Sequence, residues 1–282
     1  QIETLVRGFA RLGVRKLRLT GGEPLLRKRL PELVARLAAI EGIDDLALTS
    51  NGSLLAAQAQ ALRAAGLRRI TVSLDTLDAD AFRALSGGRG ELRDVLAGIE
   101  AAQAAGFAPI KLNCVVQRGL NDAGIEALAG FAREHGHVLR FIEYMDVGTC
   151  NGWSRERVVP SAEVRDRIAA RWPLRPLDPN YRGEVAERYA YADGQGEVGF
   201  VSSVSAPFCG DCHRARVSAD GQLYTCLFAG QGHDLRGVLA QGEDALAAHV
   251  AGLWSRRADR YSEIRSEAGA SRKHVEMYLV GG

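Results

Sequence analysis

The sequence predicts an α/β protein organised on a parallel sheet, as an open or partial barrel followed by a cysteine-bearing region. Three observations predict it. Up to residue 142, apolar runs of period two alternate with runs of period 3.6. The connections between them are short, which implies right-handed crossovers and parallel neighbouring strands. After residue 145 the alternation stops, and three cysteines cluster in a stretch punctuated by proline and glycine.

Each element has its own signal. Ile2 to Leu12 reads as a helix with Ile2, Leu5, Phe9 and Leu12 on one face, ended by Gly13. Val14 to Thr20 reads as a strand, Leu30 to Ile40 as a helix and Leu46 to Thr49 as a strand. Leu54 to Ala65 is helical, Gly66 caps it, and Ile70 to Leu74 is a strand. Helices follow over Ala79–Leu85 and Leu92–Ala105, then a strand over Ile110–Val116, a helix over Ala123–Glu134 and a strand over Val138–Ile142. These five units, with one more expected upstream, suit an open or incomplete (βα)6-type barrel better than an eightfold one, with a doubly wound sheet as the structural alternative. Residues 1–145 are the expected barrel part and 146–282 a second region. In that region Glu163–Trp172 and Asp244–Trp254 read as helices and Glu197–Val201 as a short strand.

The bulk numbers narrow the class. The chain has 282 residues, is 46% hydrophobic and 25% charged, and carries a net charge of +2. Such near-neutrality argues against a general nucleic-acid coat, so any anion site should be local. No apolar run reaches membrane-spanning length and no signal peptide opens the chain. Five cysteines, three of them clustered, fit metal binding in a reducing compartment, and a cytoplasmic protein is expected. The chain starts at Gln1 in what reads as mid-domain, so an upstream segment is expected.

Parallel sheets place their chemistry at the carboxyl ends of the strands. Those ends read Thr20-Gly21-Gly22-Glu23-Pro24, Thr49-Ser50-Asn51-Gly52, Ser73-Leu74-Asp75 and Glu143-Tyr144-Met145. Each alone could be a turn or a helix cap. Together they line one rim with backbone and small polar groups suited to a bound small molecule.

The cysteine stretch runs Phe208-Cys209-Gly210-Asp211-Cys212-His213-Arg214-Ala215-Arg216, and Cys226 follows. Two thiols separated by two residues can serve one metal or cluster. Asp220-Gly221 signals a hairpin that would carry Cys226 back beside them. Three thiols leave either a fourth protein ligand to be found, with His213, Cys150 and Cys114 as candidates, or an open metal position. Arg214 and Arg216, two apart on the expected first hairpin strand, would face one way and suit an anion.

Leu19-Thr20-Gly21-Gly22-Glu23-Pro24-Leu25-Leu26-Arg27 resembles the glycine-rich motif of radical S-adenosylmethionine (SAM) enzymes. With Thr49-Ser50-Asn51-Gly52, Val72-Ser73-Leu74-Asp75, Lys111-Leu112-Asn113, Arg140 to Met145, the cysteine set, its Arg-x-Arg and the Gly281-Gly282 ending, the whole chain is similar to the GTP-cyclising branch that opens molybdenum cofactor biosynthesis. The resemblance implies an incomplete triosephosphate-isomerase-type barrel whose cavity is closed by the C-terminal region, with a 4Fe-4S cluster at each end. One cluster would cleave SAM to a 5′-deoxyadenosyl radical that takes the ribose 3′-hydrogen of GTP, after which the carbon radical attacks C8 of guanine. The other, on three cysteines, would offer an open iron to the guanine.

By position, the resemblance gives Cys209, Cys212 and Cys226 to that second cluster, and Gly22, Ser73 and Met145 to SAM. It gives Arg18, Thr49, Lys111, Arg214, Ala215 and Arg216 to GTP, and a catalytic tail to Gly281 and Gly282. A homodimer is expected. The family's Cys-x3-Cys-x2-Cys triad is not in the sequence and is expected just upstream of Gln1. Two other readings are a radical SAM peptide maturase with auxiliary clusters and a zinc-stabilised binding module without catalysis.

Overall fold

In the computed structural model, residues 1–265 and 275–281 are described. The first part follows the expected alternation: α1 (Ile2–Arg11), β1 (Lys16–Leu19), α2 (Leu30–Ala38), β2 (Asp45–Ser50), α3 (Ala59–Ala64), β3 (Arg69–Ser73), α4 (Ala79–Leu85), α5 (Leu92–Ala104), β4 (Lys111–Val116), α6 (Ile125–Glu134) and β5 (Val138–Glu143). After β5 come α7 (Ser161–Arg171), β6 (Leu174–Leu177), β7 (Glu187–Tyr191) and β8 (Glu197–Val201). One eight-stranded sheet holds them in the order β1-β2-β3-β4-β5-β8-β7-β6. β1 to β5 are parallel to their neighbours and β8 is parallel to β5, while β7 and β6 run antiparallel. The chain is thus an α/β protein on a mixed sheet, and β8 supplies the sixth parallel strand.

The strand pattern decides which face is which. Leu46, Leu48, Ile70, Val72, Leu112, Cys114, Leu139 and Phe141 are all at most 2% exposed. With Val34, Leu37, Leu62, Ile99 and Leu128 of the helices they form the main core. Period-two alternation then sends Arg18, Thr49, Thr71, Lys111, Asn113 and Arg140 to the other face. Parallel registers pair Thr49 with Thr71, Thr71 with Lys111, and Asn113 with Arg140, so these polar residues form rows across the sheet. Where β5 meets β8, Phe141 pairs with Phe200 and their rings stack 6.2 Å apart. Each large apolar side chain buried this way contributes about 1.5–3 kcal/mol.

The remainder of the chain is lighter in regular structure. A three-stranded sheet, β11-β10-β9, is made of β9 (Arg216–Val217), β10 (Gln222–Tyr224) and β11 (His233–Asp234). It is followed by α8 (Arg236–Leu239), α9 (Glu243–Ser255), α10 (Tyr261–Ile264) and α11 (Met277–Val280). Leu223, Leu235, Leu246 and Val250 make a small second core, against which Leu5 and Phe9 of α1 pack. The hairpin expected at Asp220-Gly221 joins β9 to β10. Its first strand is shorter than the sequence suggests: Arg216 belongs to β9, but Arg214 precedes it. The helix expected from Leu54 begins only at Ala59, because a turn of hydrogen-bonded loop (Leu55 N to Gly52 O, Gln58 N to Leu55 O) comes first. Among the described residues, no helix is long and apolar enough to cross a membrane.

Candidate active site

The rim at the strand ends is knit by one carboxylate. Glu23, after β1, accepts from Leu25 N (2.9 Å), Ser50 Oγ (2.9 Å) and Asn51 N (2.8 Å), which locks the glycine loop to the end of β2. Gly21 sits at φ 137°, a conformation that L side chains rarely adopt. Gly22 beside it is exposed, and a Cβ there would meet nothing within 4 Å, so its backbone is open to a visitor. Ser73 ends β3 and is exposed on the same rim. Asp75, two residues on, accepts from Val115 N at 2.8 Å, and burial raises its carboxyl to about 6. Met145, just past β5, is half-buried against Val147, Phe228, Tyr261 and Cys226.

Inside the sheet's polar face stands a row of cations. Arg18 donates to Thr49 Oγ1 at 2.5 Å and to Thr71 Oγ1 at 3.1 Å, so three adjacent strands hold one guanidinium. Its side chain keeps solvent contact, yet burial on the sheet's polar face, with Arg69 and Arg140 nearby, lowers its pKa to about 10. Lys111 is lowered to about 8 by burial first and by the charges of Arg140 and Arg69 next. Among the described residues, neither Arg18 nor Lys111 has an ion-pair partner, and the side-chain oxygen of Asn113 is buried with no hydrogen bond. Keeping unpaired cations together in a partly desolvated space is costly unless an anion joins them.

Sequence reasoning passed over several members of this row. Arg140 of β5 lies beside Gly199 of β8 and faces Glu184, whose carboxylate is 3.7 Å away with a side chain only 2% exposed. Arg69 is paired with Asp45. Lys16 of β1 places its Nζ 3.4 Å above the ring of Tyr181. Period-two spacing could have found them, since Lys16 shares a face with Arg18, and Arg140 is the register partner of Asn113.

The cysteine stretch comes to this face through the same loop. Tyr181 meets His213 edge-on with ring centroids 6.1 Å apart, and a Cβ on Gly183 would fall 2.5 Å from both the Asp211 carbonyl oxygen and His213 Nδ1. Cys209, Cys212 and Cys226 are free and half-buried. Burial pushes the Cys212 thiol up, but the charge and hydrogen bonds of Arg214, with help from Arg257, outweigh it and bring the thiol down. Arg214 Nη2 donates to Cys212 Sγ at 3.2 Å, and its Nε is buried without a partner. Arg216 is lowered to about 10 by burial and then by Arg214, and the Cys212 and Cys226 sulfurs offset part of that. Ala215, between them, is exposed. Cys226 is raised by burial, and the charges of Asp259, Cys209 and Cys212 add to the effect.

Among the described residues, no three His, Cys, Asp or Glu side chains stand close enough to hold a single metal ion. Cys209 and Cys212 bracket one short turn, and Cys226 lies two residues past Tyr224, the register partner of Arg216, so the hairpin returns it toward them. Three thiols without a common centre suit an iron–sulfur cubane, in which each thiolate binds a different iron. One relay ties Cys212 to the neighbour of Cys226. Arg257 donates to the Cys212 carbonyl and, through Nε at 3.3 Å, to Asp259. Asp259 in turn accepts from Thr225, next to Cys226, at 2.6 Å.

The other two cysteines stay apart from this set. Cys114 is 2% exposed in the main core, and burial raises its thiol well above the usual value. Cys150 is exposed.

The tail closes the circuit from the cysteines to the rim. Val275 N donates to Ala229 O at 3.3 Å, and Glu276 accepts from Thr149 N at 2.7 Å and Thr149 Oγ1 at 2.6 Å. Gly281 is buried at φ 75°, where a Cβ would fall 2.2 Å from Thr20 Cγ2, so nothing but glycine fits there. Gly282 lies outside the described residues, as does the basic stretch at 272–274.

Known proteins are similar to this chain along its whole length. The sequence model of the radical SAM superfamily matches residues 1–132, and that of Molybdenum Cofactor Synthesis C matches residues 137–263. The GTP 3′,8-cyclase of Xanthomonas campestris pv. campestris (strain 8004) is 68% identical over 282 residues, spanning 100% of this chain and 83% of that one. This chain belongs to the GTP 3′,8-cyclase family. A member from Acidothermus cellulolyticus is 54% identical over 309 residues, covering 100% of this chain and 85% of its own. Among solved structures, anSMEcpe with bound AdoMet is 14% identical with a TM-score of 0.59, covering 98% of this chain and 80% of that chain. At that identity the likeness is one of fold. Family membership brings the 4Fe-4S and SAM chemistry of radical SAM enzymes with it.

Proposed function

We propose that this chain catalyses the reaction for which its family is named, joining C3′ of the ribose to C8 of guanine within GTP. The product is (8S)-3′,8-cyclo-7,8-dihydroguanosine 5′-triphosphate, the first intermediate of molybdenum cofactor biosynthesis. The observation that carries the reading is a cation row in which Arg18 and Lys111 have no ion-pair partner among the described residues, together with three free cysteines flanked by Arg214 and Arg216. A triphosphate brings about four negative charges, which these four side chains can neutralise with charge-assisted hydrogen bonds.

In this reading Arg18, Thr49, Lys111, Arg214, Ala215 and Arg216 hold GTP, and Gly22, Ser73 and Met145 hold SAM. Cys209, Cys212 and Cys226 hold a 4Fe-4S cluster whose open iron takes the guanine, and Gly281 and Gly282 assist catalysis from the tail. A second 4Fe-4S cluster belongs to the same reading, although its Cys-x3-Cys-x2-Cys ligands are not among these 282 residues. When bound, that cluster supplies the electron that cleaves SAM into an organic radical. The protein's part is to bind and orient: thread the triphosphate along Arg18 and Lys111, present the ribose to the SAM rim, and exclude water around both. The parallel strands β1 to β5 are then an incomplete triosephosphate-isomerase-type barrel of residues 1–145, and residues 146–282, which add β8, close its cavity. We also place the enzyme in the cytoplasm as a homodimer, which sedimentation velocity would check.

The test is anaerobic GTP binding by the chain and by an Arg214→Ala, Arg216→Ala variant. A loss of about a hundredfold or more is expected for the removal of two charged contacts; undiminished binding would sink the site assignment. Iron, sulfide and zinc should be assayed on the same samples. About four iron and four sulfide per chain support the cluster, and about one zinc without sulfide overturns it.

A further inference from the structure

We propose that Glu143, the last residue of β5, is a positioning residue that fixes the cysteine segment to the sheet. The proposal rests on the reading of Cys209, Cys212 and Cys226 as one cluster site. Glu143 is 1% exposed. Its Oε1 accepts from Ser161 N at 2.8 Å and from Ser205 Oγ at 2.5 Å; its Oε2 accepts from Val204 N at 2.7 Å and Ser205 N at 2.8 Å. Four donors from two separate segments converge on one carboxyl, and no cation is among them. One segment is the start of α7; the other is the strand-free stretch that leads directly into Phe208 and Cys209.

A second tether runs in parallel. Asp146 accepts from Arg265 Nε at 2.8 Å, and Arg265 Nη1 donates to Ser203 O at 2.8 Å. Asp146 also accepts from Tyr261 O–H at 2.6 Å. Residues 203–205 are therefore held to the β5 terminus on both sides, and Met145 lies between the two anchoring carboxylates. Met145 and Cys226 share one apolar cluster with Phe228 and Tyr261. The spacing between the SAM-side rim and the cysteine set thus has a physical fastening, and Glu143 is its most buried part.

The chemistry makes the role specific. Every partner of Glu143 is an N–H or O–H donor, so the site needs an acceptor at both oxygens. Glutamine has the same shape but would turn its own N–H2 toward an N–H donor. A merely space-filling glutamate would tolerate that exchange; an acceptor clamp would not.

The experiment compares the full 282-residue chain with Glu143→Gln by amide hydrogen exchange, which needs no metal. Exchange across 204–212 should quicken by about tenfold or more, while the amides of β2 to β4 stay protected. After anaerobic reconstitution, the variant's reduced-cluster EPR spectrum should also lose the change that added GTP produces in the unaltered chain. If Glu143→Gln does not fold, Ser205→Ala removes a single donor and should quicken exchange at 205–212 by about two- to tenfold. Unchanged exchange across 204–212 in a folded variant overturns the proposal. If the chain takes up zinc and no sulfide, the cluster reading falls instead, and the exchange result still decides whether Glu143 holds the segment.

Discussion

The two ends of the molecule are held together by different forces. From β1 to β5, side chains are fixed by burial: Leu48, Val72, Leu112 and Leu139 have no measurable exposure, and the cations opposite them inherit their positions from the strand register. From Phe208 to Cys226 the regular structure is one short turn and two strands of two and three residues, and the cysteines depend on Arg257, Asp259 and Glu143. The first region is organised before any ligand arrives. The second is organised by polar fastenings that leave three thiols free, which suits a site whose final order comes from what it binds.

Breaking each region should therefore look different. The largest effect is expected for Cys226→Ser: iron and sulfide uptake should fall from about four of each to almost none, with little change in far-ultraviolet circular dichroism. Retained uptake would show that Cys226 is not a ligand. Phe141→Ala, which empties the stacked pair with Phe200, should cost about 3–5 kcal/mol in denaturant unfolding. A cost under about 1 kcal/mol would mean that β5 and β8 are not the core they form here.

Smaller effects sharpen the contrast. Lys111 has its pKa lowered to about 8, so it is charged below that pH and neutral above it. Triphosphate affinity should weaken by up to about tenfold between pH 7 and 9, the loss of one charge-assisted contact. Lys111→Met should bind more weakly but flatten that profile, and an unaltered slope in the variant would assign the titration elsewhere. The smallest effect is expected for Asp259→Asn, about 1–2 kcal/mol for a weakened tether, read as a drop in thermal midpoint. Cluster uptake should slow in that variant while the unfolding of the β1–β5 core is unaffected.

The same contrast explains what the sequence disclosed. The parallel strands were legible because alternation is a strong signal, and Ala79–Leu85 matches its predicted limits. Arg18, Lys111 and the three cysteines could be picked out by residue type and motif. Lys16 and Arg140 were open to period-two spacing, but Glu184 was not, because it lies in a loop between β6 and β7 whose placement no local pattern encodes. Glu143 showed only as a strand end and Asp259 not at all, because Val204, Ser205 and Thr225, the partners that give them their roles, lie 61, 62 and 34 residues away in the chain. Arg214 reads as part of a hairpin strand that begins only at Arg216, because residues 212–215, between the turn at Cys209–Asp211 and β9, carry no regular structure.

A hollow beside the cysteines is lined by Cys212, His213, Trp254 and Arg257, and the Arg257 guanidinium stacks 4.8 Å from the Trp254 ring centre. Iron–sulfur clusters absorb light where indole emits it. Of the three tryptophans in the chain, Trp254 is the one that lines this hollow, while Trp172 packs edge-on against Tyr191 on the far side of the sheet. If the neighbouring thiols hold the proposed cluster, Trp254 emission should fall as they load and return when the metal is stripped.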